Sequence, residues 1–322
     1  MRLTCTDSDK CRSAVAVQRP WATLGDAFRR SFPHYSPTPA TAQDTIRDRS
    51  TRLAHRCHGM CHSGPMSPAS RPPRTIDIDH PQSGRMYDYL RGGSINYVVD
   101  RRQAEHLGAR WPGLLEIPSV TQDWTGRAVR LMTEGGVRQF LDLGAGFPSA
   151  GSVHEVARRT VPARTVCVDN DPVVLGRGRA LLPSREPVQY VGADVRDVDL
   201  VLAAVRQHLD FEEPVALIAA ALLQYLPEDP AALVAEYVER LAPGSWVAIT
   251  HAITDGAEEE LLNEVRGAYP GGLWPRPLSV IEPIFDGLAL VEPGVVDLQT
   301  WRPDRPAVVG PLQVVGGLAR VG

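Results

Sequence analysis

The stretch QFLDLGAGFPSAGSVHE, residues 139–155, joins a short apolar strand to a helix through a glycine turn. Gly144 and Gly146 lack a Cβ atom, so the backbone can turn tightly there and a ligand can approach it closely. Ser149 stands where a dinucleotide-binding fingerprint has its third glycine. Asp142, two residues before the first glycine, suits a ligand with an ammonium group, such as the methionine part of S-adenosylmethionine.

The residues after this turn alternate between short apolar runs and helical patterns. Runs at 165–170, 188–193, 214–222 and 245–252 predict strands, and each precedes a helix-like segment. Such alternation predicts an α/β fold with a mostly parallel, Rossmann-like sheet covered on both faces. The stretches 288–301 and 312–322 read as two strands without an intervening helix, which predicts an antiparallel hairpin at the sheet edge. Helix-like segments between residues 84 and 135 precede the first strand.

Carboxylates follow the second and third predicted strands. Asp169 and Asn170 end the second strand, where a carboxylate can accept both ribose hydroxyls. Asp194 ends the third, where it could accept from the adenine amino group while the Val195 N–H meets a ring nitrogen. Each aspartate alone could equally be a helix N-cap. Together with the glycine turn, they predict a nucleoside site at one edge of the sheet.

Several motifs carry a more specific resemblance. The segments SGRMYDYLRGG (83–93), VDNDPVVLGRGRALL (168–182), LAPGSWVAITHA (241–252) and FDGLALVEPGVVDLQTWRPD (285–304) occur in order around the glycine turn. This set resembles the actinobacterial S-adenosyl methyltransferase family, formerly a domain of unknown function, within the class I S-adenosylmethionine-dependent methyltransferases. The resemblance covers roughly residues 76–322 and implies S-adenosylmethionine as cofactor.

The resemblance also implies roles for individual residues. It implies cofactor contacts at Asp142, Gly144, Ala145, Gly146, Asp169, Asn170, Asp194, Val195, Ala220 and Ala221. It further implies a helical lid over about 84–135, with Arg85, Tyr87, Tyr89 and Asn96 as lid residues.

Two departures from the family pattern bear on activity. Ser94-Ile95 stands where the family usually has Lys-Asp, and Gln224 stands where it commonly has a histidine. Tyr225 and His251 are the candidates for a catalytic base, which only some acceptors require. The main reading is a methyltransferase acting on a small-molecule acceptor that the sequence does not identify. The alternatives are a cofactor-binding regulator without transfer activity and a nicotinamide-dependent oxidoreductase.

Composition limits the partners of the chain. Its 322 residues are 43% hydrophobic and carry a formal net charge of −4. Residues 1–75 hold 12 basic and 5 acidic side chains, against 22 and 33 in residues 76–322. An acidic body lacks the basic surface that duplex nucleic acid requires, so nucleic acid is not expected as a partner. We also expect a cytoplasmic protein without a membrane partner, because no run approaches the roughly 18 apolar residues of a spanning helix and no signal peptide is recognisable.

The first 75 residues read as a separate, basic tail. Ser, Thr, Pro and Arg dominate residues 30–75 without helical or strand periodicity, which predicts disorder. Cys57 and Cys61 lie close together, but Cys5 and Cys11 are too distant and too widely spaced to complete a zinc site, so no metal is expected. Part of this tail could also be an upstream misassignment of the start codon, with Met60 or Met66 as the true start.

Overall fold

A computed structural model describes residues 76–182, 187–269, 271–303, 306–307 and 310–322. All of them belong to one compact unit, Ser70–Gly322. The sequence predictions for residues 1–75, including the absence of a metal site there, lie outside the described residues. None of the described helices is long and apolar enough to cross a membrane.

Five parallel strands form the centre of the sheet. They are β1 (Gln139–Leu143), β2 (Arg164–Asp169), β3 (Val188–Gly192), β4 (Ala216–Ala219) and β5 (Trp246–Ala252). Their spatial order is β3-β2-β1-β4-β5, so the chain reverses its direction across the sheet after β3. The carboxyl ends of β1 and β4 therefore flank a topological switch point, the place where open parallel sheets bind ligands.

Helices precede the sheet and connect its strands. The first three are α1 (Ser83–Leu90), α2 (Val98–Arg110) and α3 (Ile117–Glu134). The others are α4 (Val153–Thr160), α5 (Pro172–Leu181), α6 (Val198–Val205), α7 (Pro230–Val238), α8 (Glu259–Gly267) and α9 (Leu278–Ile281). Asp171, Asp197 and Asp229 begin α5, α6 and α7, each accepting from a backbone N–H of the first turn. These are the N-cap positions where aspartate is favoured.

Both faces of the sheet are buried. Because side chains alternate along a strand, Phe140, Ile218 and Leu318 join one apolar cluster, which includes residues of α3, α4 and α8. Leu141 and Leu217 join the opposite cluster, with residues of α6, α7 and α9. The predicted fold class, a mostly parallel sheet between helical layers with an antiparallel C-terminal strand, is confirmed.

The C-terminal edge differs in detail from the sequence prediction. Strand β8 (Val314–Arg320) lies antiparallel to β5, as expected for the closing strand. The stretch 288–301 is not one strand: only β6 (Ala289–Leu290) and β7 (Val296–Asp297) pair with β8, both antiparallel. Between them, Pro293 has no N–H to donate and Gly294 has a φ of 96°. These two residues interrupt the predicted hairpin strand.

A buried ion pair holds α1 and α2 together. The Nε atom of Arg85 donates to Oδ2 of Asp100 over 2.9 Å, and both side chains are at most 1% exposed. The two Nη atoms of Arg85 donate to the backbone carbonyls of Asp77 and His80, over 2.8 and 2.7 Å. Asp100 in turn accepts the N–H of Gln82 over 2.9 Å. The chain entering α1 is thereby fastened to α2.

Candidate active site

A cavity of about 590 Å³ opens at the carboxyl ends of β1 to β4, beneath α1 and α3. Its size is typical of sites for small ligands and cofactors. All ten cofactor residues predicted from the sequence line it: Asp142, Gly144, Ala145, Gly146, Asp169, Asn170, Asp194, Val195, Ala220 and Ala221. The structure therefore brings the predicted set together around one space.

The glycine turn is fastened to strand β2. Gly144 and Gly146 have φ angles of 64° and 63°, the left-handed region that side chains disfavour. The N–H of Gly144 donates to the Val168 carbonyl over 2.8 Å, and that of Gly146 donates to Oδ2 of Asp169 over 3.0 Å. A Cβ at Gly144 would lie 2.6 Å from Leu222, whereas one at Gly146 would meet no protein atom. Leu222 therefore fills the space beside Gly144, whereas no described residue fills the space beside Gly146.

Asp142 and Asp169 place two buried carboxyl groups beneath this turn. Burial, with a smaller contribution from Asp169, raises the pKa of Asp142 to about 8. Burial also raises the pKa of Asp169, although the N–H groups of Asp171 and Gly146 partly oppose the shift. A cation placed between them would favour the ionised forms. This end of the cavity is therefore suited to a positively charged ligand group.

The raised pKa of Asp142 has a consequence for stability. Between pH 4 and 8 the native protein retains a proton on Asp142 that the unfolded chain has lost. The effect of this group is therefore to lower the free energy of unfolding progressively as pH rises over that interval. Replacing Asp142 by asparagine, which mimics the neutral acid, is expected to stabilise the unliganded protein increasingly over that interval. The measurement is the difference in thermal midpoint between variant and wild type at pH 5 and pH 8. A difference that stays constant or shrinks as pH rises would refute the assignment.

The β3 end of the cavity is built around Asp194. Arg196 donates from Nε and Nη2 to the two oxygens of Asp194, over 2.9 and 2.7 Å, and from Nη1 to Glu228 over 3.2 Å. The hydroxyl of Tyr237 donates to the Val195 carbonyl over 2.7 Å. These contacts fix the carboxylate and the backbone that face the cavity.

Ala220 and Ala221 follow β4 in an unusual backbone conformation. Ala221 has a φ of 52°, which is uncommon for a residue with a side chain. Its N–H donates to Oγ1 of Thr250 over 2.8 Å, which holds the turn in place. Strained residues of this kind cluster at functional sites.

The other end of the cavity is walled by three tyrosines: Tyr87 from α1, Tyr225 after β4, and Tyr269 after α8. The rings of Tyr225 and Tyr269 meet edge to face, 5.3 Å apart, and the hydroxyl of Tyr225 interacts with those of Tyr87 and Tyr269. Burial raises the pKa of all three phenols, that of Tyr269 to about 12. They are therefore neutral at physiological pH.

Three of the four predicted lid residues lie outside the cavity lining. Tyr87 lines the cavity, but Arg85 is buried in the ion pair with α2 described above. Tyr89 donates to a glutamate of α2, and Asn96 donates to Asp88 over 2.8 Å. The polar groups of Arg85, Tyr89 and Asn96 bind the helical segment itself, so the structure does not bring them to the cavity, and a lid role for them stays a prediction.

His251 is corrected as a candidate base. Its side chain is fully buried within β5 and does not line the cavity. Its Nδ1 lies 2.7 Å from the Ala252 carbonyl, and its Nε2 faces Nη1 of Arg276 at 3.2 Å. Arginine only donates, so Nε2 accepts and the proton sits on Nδ1. Burial lowers the pKa of His251 to about 4, which fits a neutral, structural side chain.

Comparison with known proteins agrees with this geometry. A family model described as S-adenosyl methyltransferase matches residues 69–322. The chain belongs to this family.

Two solved structures support the assignment. A candidate methyltransferase from Thermobifida fusca YX is 37% identical, and the match covers 79% of this chain and 99% of that one with a TM-score of 0.72. A DUF574 family protein from Streptomyces avermitilis is 32% identical over 77% of this chain and 100% of that one, also with a TM-score of 0.72. No curated protein matches the chain. The resemblance seen in the sequence is thus confirmed, with S-adenosylmethionine as the cofactor of the family.

The observed cavity fits this cofactor. S-adenosylmethionine carries a positively charged ammonium group, and the buried carboxyl group of Asp142 would ionise beside such a charge. The open approach at Gly146 leaves space for a ligand against the backbone. Asp169, Asn170 and Asp194 supply polar groups along the same wall.

The departures from the family pattern at Ser94-Ile95 and Gln224 fall outside the cavity lining. Gln224 is 3% exposed, and its Oε1 accepts the N–H of Ala252 over 3.3 Å. Ser94 is exposed, while the N–H of Ile95 donates to Oδ2 of Asp88 over 2.7 Å. None of these three side chains lines the cavity. Because Gln224 does not line the cavity, having glutamine in place of the family's histidine removes no proton acceptor from the cavity.

Proposed function

We propose that this chain transfers a methyl group from S-adenosylmethionine to a small molecule bound against Tyr87, Tyr225 and Tyr269. The observation that carries the proposal is the single cavity that joins the carboxylate-lined turn to the tyrosine wall. A donor at one end and an acceptor at the other would share one space, as an in-line displacement requires.

Each predicted residue has a place in this proposal. Asp142 would contact the ammonium group, and Gly144, Ala145 and Gly146 would pack against the cofactor. Asp169 and Asn170 would hold the ribose and the adenine edge, Asp194 and Val195 the adenine, and Ala220 and Ala221 would border the methionine chain. When bound, the cofactor supplies an activated methyl group with a good leaving group. The protein then has to orient the acceptor and exclude water.

The tyrosine wall is suited to positioning and not to removing a proton. Neutral phenols donate and accept hydrogen bonds, and their raised pKa values keep them protonated, so no phenolate is available to take a proton at physiological pH. Tyr225 packs edge to face against Tyr269, and its phenol is electrostatically coupled to those of Tyr87 and Tyr269. We therefore propose that Tyr225 orients the acceptor and that the acceptor reacts without a basic side chain of the protein.

The experiment uses S-adenosylmethionine labelled in its methyl group and a size-fractionated actinobacterial extract. Wild-type protein is expected to move label from S-adenosylmethionine into a second small molecule, which chromatography separates from the donor. Tyr225→Phe is expected to lower the transfer rate about 10-fold, since misplacement of the acceptor reduces catalysis by that order or more. Its affinity for S-adenosylmethionine, measured by calorimetry, should remain near that of the wild type.

Tyr97→Phe serves as the matched control. Tyr97 lies directly before α2, is exposed and does not line the cavity, so this variant loses the same hydroxyl group at a different place. It should transfer label at the wild-type rate. Binding of S-adenosylmethionine without any transfer would favour the cofactor-binding regulator instead. Label in the macromolecular fraction would contradict a small-molecule acceptor.

A further inference from the structure

Arg91, directly after α1, is a polar residue of the cavity that the sequence motifs did not single out. Its Nη2 donates to Oγ of Ser149, in the loop that follows the glycine turn. Its Nε is buried and has no hydrogen-bond partner among the described residues. A buried N–H of a charged group without a partner is costly, which points to a ligand atom that completes it.

The charge balance around Arg91 indicates what that ligand atom is. Arg91 and Arg196 are the cationic side chains among the described lining residues, and Arg196 is already bound to Asp194 and Glu228. The nearby carboxylate of Asp88 favours the charged form of Arg91, and its Oδ2 accepts from both Ile95 and Asn96. Arg91 therefore brings an unpartnered Nε and a positive charge to the lining of the cavity, and a carboxylate is the ligand group that matches a guanidinium.

The position of Arg91 indicates which carboxylate it meets. Its partner Ser149 stands three residues after Gly146, in the loop that leaves β1 just beyond Asp142. In the methionine part of the cofactor, the ammonium and the carboxylate are attached to the same carbon atom. A ligand whose ammonium lies at Asp142 thus carries its carboxylate toward this loop.

We propose that Arg91, supported by Ser149, binds the carboxylate of the methionine part of S-adenosylmethionine. The inference rests on the proposed function, because it requires the cofactor to occupy this cavity. It adds a cofactor-positioning residue from the N-terminal helical segment. The adenosine part of the cofactor would instead be held by residues at the ends of the strands.

The test compares two ligands that differ by this one group, S-adenosylmethionine and its decarboxylated form. Calorimetry is performed on the full chain as wild type, Arg91→Leu and Arg91→Lys. Wild type is expected to bind S-adenosylmethionine about 10- to 100-fold more tightly than the decarboxylated ligand, as the loss of a charge-assisted, bidentate contact implies. Arg91→Leu should remove that preference, with unchanged affinity for the decarboxylated ligand. Arg91→Lys should retain part of it.

The matched control is Arg101→Leu, an arginine of α2 that binds Asn96 outside the cavity lining and should retain the full preference. Unchanged affinity of Arg91→Leu for S-adenosylmethionine would overturn the inference. An equal loss for both ligands would also overturn it, since Arg91 would then act by holding the loop. If neither ligand binds the wild type, the proposed function itself fails, and this inference fails with it.

Discussion

Asp169→Ala is expected to weaken the binding of S-adenosylmethionine about 100-fold or more. The carboxylate already accepts the N–H groups of Gly146 and Asp171, over 3.0 and 2.9 Å, and Asp169 lines the cavity. Alanine would remove the proposed acceptor of the ribose hydroxyls. It would also remove the hydrogen bond that holds the glycine turn at Gly146. Two hydrogen bonds to a charged group, at about 1.5 to 3 kcal/mol each, account for an effect of this size. Calorimetric titration of wild type and variant measures it.

Two further variants separate binding from folding. Asp169→Asn keeps an oxygen that can accept from Gly146, so it should retain the turn and bind with an intermediate affinity. Asp197→Ala loses the N-cap carboxylate of α6, which accepts from Leu200 outside the cavity lining. It should lose about 1 kcal/mol of stability and bind the cofactor normally. Wild-type affinity in Asp169→Ala would remove this residue from the proposed site.

Arg85→Met is expected to lower the free energy of unfolding by about 3 to 5 kcal/mol. Methionine preserves much of the apolar volume but leaves the Asp100 carboxylate buried and unpaired, together with two backbone carbonyls that Arg85 satisfied. An uncompensated buried charge is among the most destabilising single changes in a protein core. Urea unfolding followed by circular dichroism measures the loss.

Arg110→Met is the matched control. Arg110 also forms ion pairs, with Glu260 and Glu264, but its side chain is 48% exposed. Exposed pairs contribute about 1 kcal/mol or less, so this variant should unfold close to the wild type. The double variant Arg85→Met, Asp100→Leu should recover part of the stability, since both buried charges are removed. Equal losses for Arg85→Met and Arg110→Met would show that burial of the pair is unimportant.

Local sequence was sufficient to predict the residues that line the carboxylate end of the cavity. Asp142, Asp169 and Asp194 each lie within two residues of the carboxyl end of a β-strand, and parallel strands place these ends at one edge of a sheet. Alternating apolar runs determine that the strands are parallel and buried, because only such a sheet accepts helices on both faces. Chain order and spacing therefore placed these residues together before any coordinates were known.

Local sequence was not sufficient to predict the residues that line the tyrosine end of the cavity. Arg91 lies in the motif SGRMYDYLRGG and Tyr269 in a helical pattern, but neither had a role assigned from the sequence, and only the tertiary structure shows that both line the cavity. His251 and Gln224 show the converse, since each looks available in sequence but is buried in contact with β5.

By itself, the sequence determined the order of strands and helices, the glycine turn and the carboxylates at the strand ends. Those features depend on hydrophobic periodicity and backbone conformation, which are encoded within a few neighbouring residues. Only the tertiary structure decided which tyrosines form the wall, which arginine faces the cavity and which is buried in an ion pair. The reason is physical: the direction of a side chain beyond a turn, and its neighbours, depend on contacts between segments far apart in the chain.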